Sequence, residues 1–118
     1  MLFWRVWAIV LGSSLMIGES IRSWGAGRHW LFVADDFFIG APLVVTAILV
    51  ATPTVARRCA FSASFAAAAG MLYGSFFGKF VDPESTNAGN MSLGLLTCLV
   101  GAAFFAAVIG LAGSIARR

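Results

Sequence analysis

Apolar residues occupy this chain in four long runs, residues 2–24, 30–52, 59–81 and 91–115, separated by three short breaks. A helix needs about 20 apolar residues to cross the hydrocarbon core of a bilayer, and each run is long enough. Strand alternation is absent. Backbone polar groups in lipid must find partners within their own segment, so the runs predict helices. The first break is Gly25-Ala26-Gly27-Arg28-His29. The second runs from Thr52 to Arg58 around the helix-stopping Pro53. The third, Asp82 to Asn90, is the only clearly polar loop, and Asn90-Met91-Ser92 reads as the start of the last helix. Connections this short make consecutive helices antiparallel neighbours. The expected fold is all-α: a single domain over residues 1–118, a four-transmembrane-helix bundle with antiparallel up-down topology.

Composition agrees. Hydrophobic residues make up 60% of the 118 positions and charged residues 11%, where a soluble domain carries about 25% charge. So few charges cannot clothe a soluble surface, and the lipid bilayer is the expected partner. The net charge of +3 is small, and the basic residues sit at the ends of apolar runs, not in a stripe with interleaved aromatics. No nucleic-acid binding is expected. A cleaved signal peptide is a poorer reading of the first run, whose n-region would carry only Arg5 and which no A-x-A-like site follows.

Charge also orients the chain. The N-terminus, second break and C-terminus carry Arg5, Arg57, Arg58, Arg117 and Arg118, against Arg22, Arg28 and Lys79 on the other side. Five against three predicts both termini in the cytoplasm, in a multi-pass protein of the bacterial inner membrane. Glu19, Asp35, Asp36, Asp82 and Glu84 then all fall on the outer side. Trp24 and Trp30 would mark the outer interface, Trp4 and Trp7 the inner one.

Helices in lipid associate through small residues that let backbones approach. In the third run Ser62, Ala66, Gly70, Gly74 and Gly78 recur at every fourth position; in the fourth, Cys98, Ala102, Ala106, Gly110 and Ser114 do so. These ridges are expected to join helices three and four, or to bind a second copy or a larger membrane-protein partner. Gly40-Ala41-Pro42 predicts a kink in helix two. Cys59 and Cys98 lie at different depths, too far apart for a disulfide, which needs Cα atoms within about 7 Å. Without CxxC spacing they read as small packing residues.

The most informative residues flank the first break. Glu19 lies eight residues before Gly27, and Asp35 and Asp36 lie eight and nine after it. A hairpin turning there brings the three carboxylates to one depth, with Arg22 one turn from Glu19 and Arg28 and His29 reaching from the loop. Of the two aspartates, Asp36 shares a face with Gly40, Leu43 and Ala47 and is expected to be the inward one. Ionisable groups at such depth are costly; they pair, face the interior or line water. Three readings stand: an N-cap for helix two at Asp35 or Asp36, a structural salt-bridge set, or an ion, proton or polar-ligand site formed by Glu19, Arg22, Arg28, His29, Asp35 and Asp36. Tyr73 and Lys79 read as an interfacial tyrosine and a snorkelling lysine, or as further members of that cluster.

One histidine without a second at ligand spacing gives no metal site, and no GxGxxG or Walker spacing points to a cofactor. No catalytic constellation is visible, so an enzyme is not expected. Two functions compete. One is an accessory, assembly or structural subunit of a membrane complex. The other is a minimal oligomeric transporter or channel for a proton, cation or small polar solute, using the outer carboxylates. Transport sites lie near the bilayer middle, where the sequence offers only Ser13, Ser14, Thr46 and Thr97; that ranks the accessory role ahead.

The orientation is testable with one introduced cysteine. In a chain carrying Cys59→Ser and Cys98→Ser, a cysteine at Ser85 is expected to react with an impermeant reagent from outside intact cells. Reaction from the cytoplasmic side alone would reverse the assignment.

Overall fold

The computed structural model describes residues 2–24, 30–81 and 92–116, the side chains of residues 30–33, 35, 80 and 93 apart. Four helices form in the order α1 (Leu2–Ser23), α2 (Trp30–Leu49), α3 (Val55–Val81) and α4 (Leu93–Ala116). Three contain stretches long and apolar enough to cross a membrane: Leu2–Ser23, Val55–Lys79 and Gly94–Ala116. In α2 the apolar stretch is the shorter Asp36–Leu49. The whole helix has 20 residues, about 30 Å at 1.5 Å per residue.

The helix ends differ from expectation around Pro53. Residues Thr52 to Arg58 were expected to form a loop, but α3 begins at Val55. The cause is a cap: the Thr54 hydroxyl accepts the Arg57 amide at 3.1 Å, satisfying one of the free donors at a helix start. Arg57 then folds its guanidinium back to the carbonyls of Leu49 and Thr52, each at 3.1 Å, where a cation complements the C-terminal end of α2. That end tightens, with Ala51 donating to Ile48 in place of Ala47. Arg5 of α1 donates to the Ala47 carbonyl instead, at 2.7 Å. At the start of α4 the Ser92 hydroxyl accepts the Leu95 amide at 3.2 Å, as a cap does.

Each helix turns one stripe inward, and the stripes alternate steps of four and three, which keeps a straight helix facing one way. On α1 the stripe is Ala8, Gly12, Leu15, Glu19; on α2, Gly40, Leu43, Ala47, Val50; on α3, Phe61, Phe65, Ala68, Leu72; all are buried. On α4, Leu96, Ala107, Gly110 and Ser114 are buried at the same rhythm. The opposite faces expose Val10, Ile17, Phe38, Ile48, Phe105 and Ile109, an apolar coat that a soluble protein does not carry.

The closest backbone approach joins α1 to α2. A Cβ on Gly12 would stand 2.6 Å from the Gly40 carbonyl oxygen, and a Cβ on Gly40 would stand 2.6 Å from that of Gly12. Both glycines lie at the middle of their helices. Next to this contact α2 continues through Pro42, whose carbonyl accepts the hydroxyls of Thr46 at 2.6 Å and Ser64 at 3.4 Å. The Trp7 indole donates to the Ala106 carbonyl at 2.9 Å, tying α1 to α4. Trp4 and Trp7 therefore pack against the core, Trp4 beside Gly113.

The ridge Gly70–Gly74–Gly78 does not join α3 to α4. Nothing lies within 4 Å of where a Cβ would stand on any of the three. Steps of four advance 400° on a helix of 3.6 residues per turn, so each step drifts by about 40°. Ser62 begins the series buried against Ser114, their hydroxyls 3.0 Å apart, and the glycines have rotated outward. On α4 the drift runs the other way: Cys98 and Ala102 are exposed, Ala106 half-buried, Gly110 and Ser114 buried. The actual α3–α4 contacts set rings against glycines, Phe65 on Gly110 and Phe76 on Gly101. Cys59 and Cys98, read from the sequence as packing residues, are both exposed.

Gly12→Leu is expected to cost about 1–3 kcal/mol, because the displaced atoms are backbone. Gly74→Leu is expected to leave the unfolding midpoint of a single copy in detergent unchanged. Equal losses at the two positions would remove the Gly12–Gly40 contact as the pivot of the fold.

Candidate functional site

The inward stripes change character toward the α1 C-terminal end. On α1 the rhythm continues from Leu15 to Glu19 and Arg22. On α2, one turn beyond Gly40, it reaches Asp36. On α3 it passes Leu72 to Ser75 and Lys79. Charged and hydroxyl groups thus occupy positions that are apolar at the other end of the bundle.

Glu19 is 2% exposed. Its carboxylate accepts the Ser23 hydroxyl at 2.8 Å and the Arg22 guanidinium at 3.4 Å. Arg22 thereby pairs with it across one helical turn. Lys79 is 8% exposed and donates to the Ser75 hydroxyl at 2.7 Å and to the Ser75 carbonyl at 3.3 Å. Glu19, Arg22, Asp36, Ser14 and Ser75 line one cavity of about 150 Å³, walled otherwise by apolar groups such as Leu11, Leu72 and Val100. A space of that size holds several waters at about 30 Å³ each. No buried side-chain nitrogen or oxygen among the described residues lacks a partner.

Glu19 and Arg22 are thus paired, Asp36 shares their cavity wall, and Ser75 on the same wall holds Lys79. Tyr73 does not join them: it is 57% exposed, against the rings of Phe77 and Phe104. Arg28 and His29 lie outside the described residues, as does the side chain of Asp35. The capping reading of the aspartates fails, because α2 begins at Trp30 and both aspartates lie inside it.

Depth also differs from expectation. The hairpin pivots on Gly12–Gly40 and is not symmetric about Gly27. Glu19 lies seven residues beyond Gly12 and Asp36 four beyond Gly40. At 1.5 Å per residue, Asp36 stands about 6 Å from the helix middles and Glu19 about 10 Å. The signal for the true register was available in Gly12 and Gly40, each at the middle of its apolar run.

The pairing predicts a non-additive cycle. Glu19→Gln takes the paired carboxylate from Arg22, and losing a buried charge-assisted hydrogen bond costs about 1–3 kcal/mol. Glu19→Gln with Arg22→Met removes both charges and is expected to recover much of that loss, measured as the unfolding midpoint in detergent. Additive losses would mean that the two side chains are not coupled.

Neither a protein-family model nor a curated protein nor a solved structure matches this chain, and the chemistry of the cavity is read from its own residues.

Proposed function

We propose that this chain is a four-span membrane protein, up-down in topology with both termini in the cytoplasm, acting as a minimal transporter or channel for a proton, cation or small polar solute. The observation that carries this reading is Asp36, a carboxylate about 6 Å from the helix middles in the wall of a cavity shared with Glu19, Arg22 and Ser75. The sequence ranked transport second because it offered no charged group near the bilayer middle; Asp36, four residues from the mid-helix Gly40, is the described carboxylate that comes nearest to it. Ionisable groups held inside a membrane domain beside a water-sized cavity are the usual apparatus of proton and ion pathways. The span of α2 belongs to this proposal, since its length suffices although its apolar part is short.

The accessory-subunit reading stands second. It is favoured by the outward face of Gly70, Gly74 and Gly78, which leaves the α3 backbone open to close approach by another helix, in a homodimer or a larger membrane complex.

Purified protein in vesicles with a trapped pH-sensitive dye, under an imposed potential, tests the first reading. Proton or monovalent cation flux above that of empty vesicles is expected, and Asp36→Asn is expected to abolish it while the unfolding midpoint is retained. Flux equal to that of empty vesicles for protons and for monovalent cations, together with disulfide cross-linking of two Gly74→Cys copies, would favour the subunit role.

A further inference from the structure

The polar cavity does not end among its own residues. Leu11, Ser14, Leu99 and Ala103 line it and also line a second, larger space of about 420 Å³ along the seam between α1 and α4. That space is apolar, walled by Phe3, Val6, Trp7, Val10, Ala102 and Ala106. Through these four residues the linings run on from a charged head to an apolar body. The larger space falls within the range of about 300–1,000 Å³ typical of ligand sites.

From this continuity we infer that the α1–α4 groove seats one amphiphile of the bilayer, a phospholipid with a primary-amine head. The inference rests on the reading of the cavity as a ligand site and deepens it by naming the ligand class; it does not require transport. The head is specified by charge. Two carboxylates, Glu19 and Asp36, and one guanidinium, Arg22, face the same cavity. A zwitterion with an ammonium and a phosphate complements both signs. Carboxylates reward a primary ammonium, which has N–H donors, over a quaternary one, which has none. The tail is specified by length and polarity. From Arg22 the groove follows α1 for about 22 Å to Trp7, where the indole bond to Ala106 ties the two helices together. That is the reach of one long acyl chain. Position agrees as well: Glu19 and Arg22 lie in the last turns of α1, where a head group enters from the interface.

Native mass spectrometry of the purified full chain, titrated separately with phosphatidylethanolamine, phosphatidylcholine and phosphatidylglycerol, tests this. Phosphatidylethanolamine is expected to be retained roughly tenfold more tightly than either of the others, the effect of one charge-assisted hydrogen bond. Asp36→Asn is expected to remove that preference. Ala102→Trp, at an exposed position on the apolar body, is expected to lower retention of all three lipids, while Gly74→Leu on the far face leaves retention unchanged. Equal retention of the three lipids by the unaltered chain, or undiminished retention by Ala102→Trp, would overturn the proposal. Selective retention without flux in vesicles would sink transport alone; flux without lipid selectivity would sink the lipid seat alone.

Discussion

The meeting of Gly12 and Gly40 sets the geometry on which the rest of this protein depends. Helices in lipid gain little from burying apolar surface against one another, so contact distance decides how strongly they associate. At these two positions the backbones approach until any Cβ would collide with a carbonyl oxygen. That contact fixes which residues of α1 stand beside which residues of α2. It brings Arg5 to the open Ala47 carbonyl at one end and sets Asp36 and Glu19 around one cavity at the other. Register and site are consequences of the same pair of missing side chains.

Packing is unequal along the bundle. At the Arg5 end, Phe61, Phe65, Ala47, Val50 and Ala107 are buried, and the two serines that meet there satisfy each other. At the Glu19 end the same inward stripes carry Glu19, Arg22, Asp36, Ser75 and Lys79, and a cavity opens between them. Charges cost more than methyl groups in such a place. Glu19 is held by Arg22 and Ser23, and Lys79 by Ser75. A firm half and a polar, roomier half give a scaffold with a site at one end. The apolar space between α1 and α4 shares four of its lining residues with that cavity.

Much of this was legible in the chain itself. Runs of apolar residues long enough to span, with turn residues between them, determined four helices, because lipid leaves the backbone no other way to satisfy its polar groups. The inward face of α2 followed from the spacing of Asp36, Gly40, Leu43 and Ala47. Local chemistry was less visible: beside the helix-stopping Pro53, the Thr54 cap starts α3 at Val55, four residues ahead of the apolar run.

What only the tertiary structure decided is which small residues touch. The series Gly70–Gly74–Gly78 looked like the tightest ridge in the sequence, yet steps of four rotate steadily around a helix and carried it outward. Gly12 and Gly40, one per helix, set backbone against backbone. A sequence records the direction of a side chain on its own helix; the rotation of that helix against its neighbours is set by all four stripes at once. For the same reason the sequence determined that Glu19, Arg22 and Asp36 belong near one another. Only the packing decided how much deeper Asp36 lies than Glu19, and that their cavity shares walls with the apolar seam.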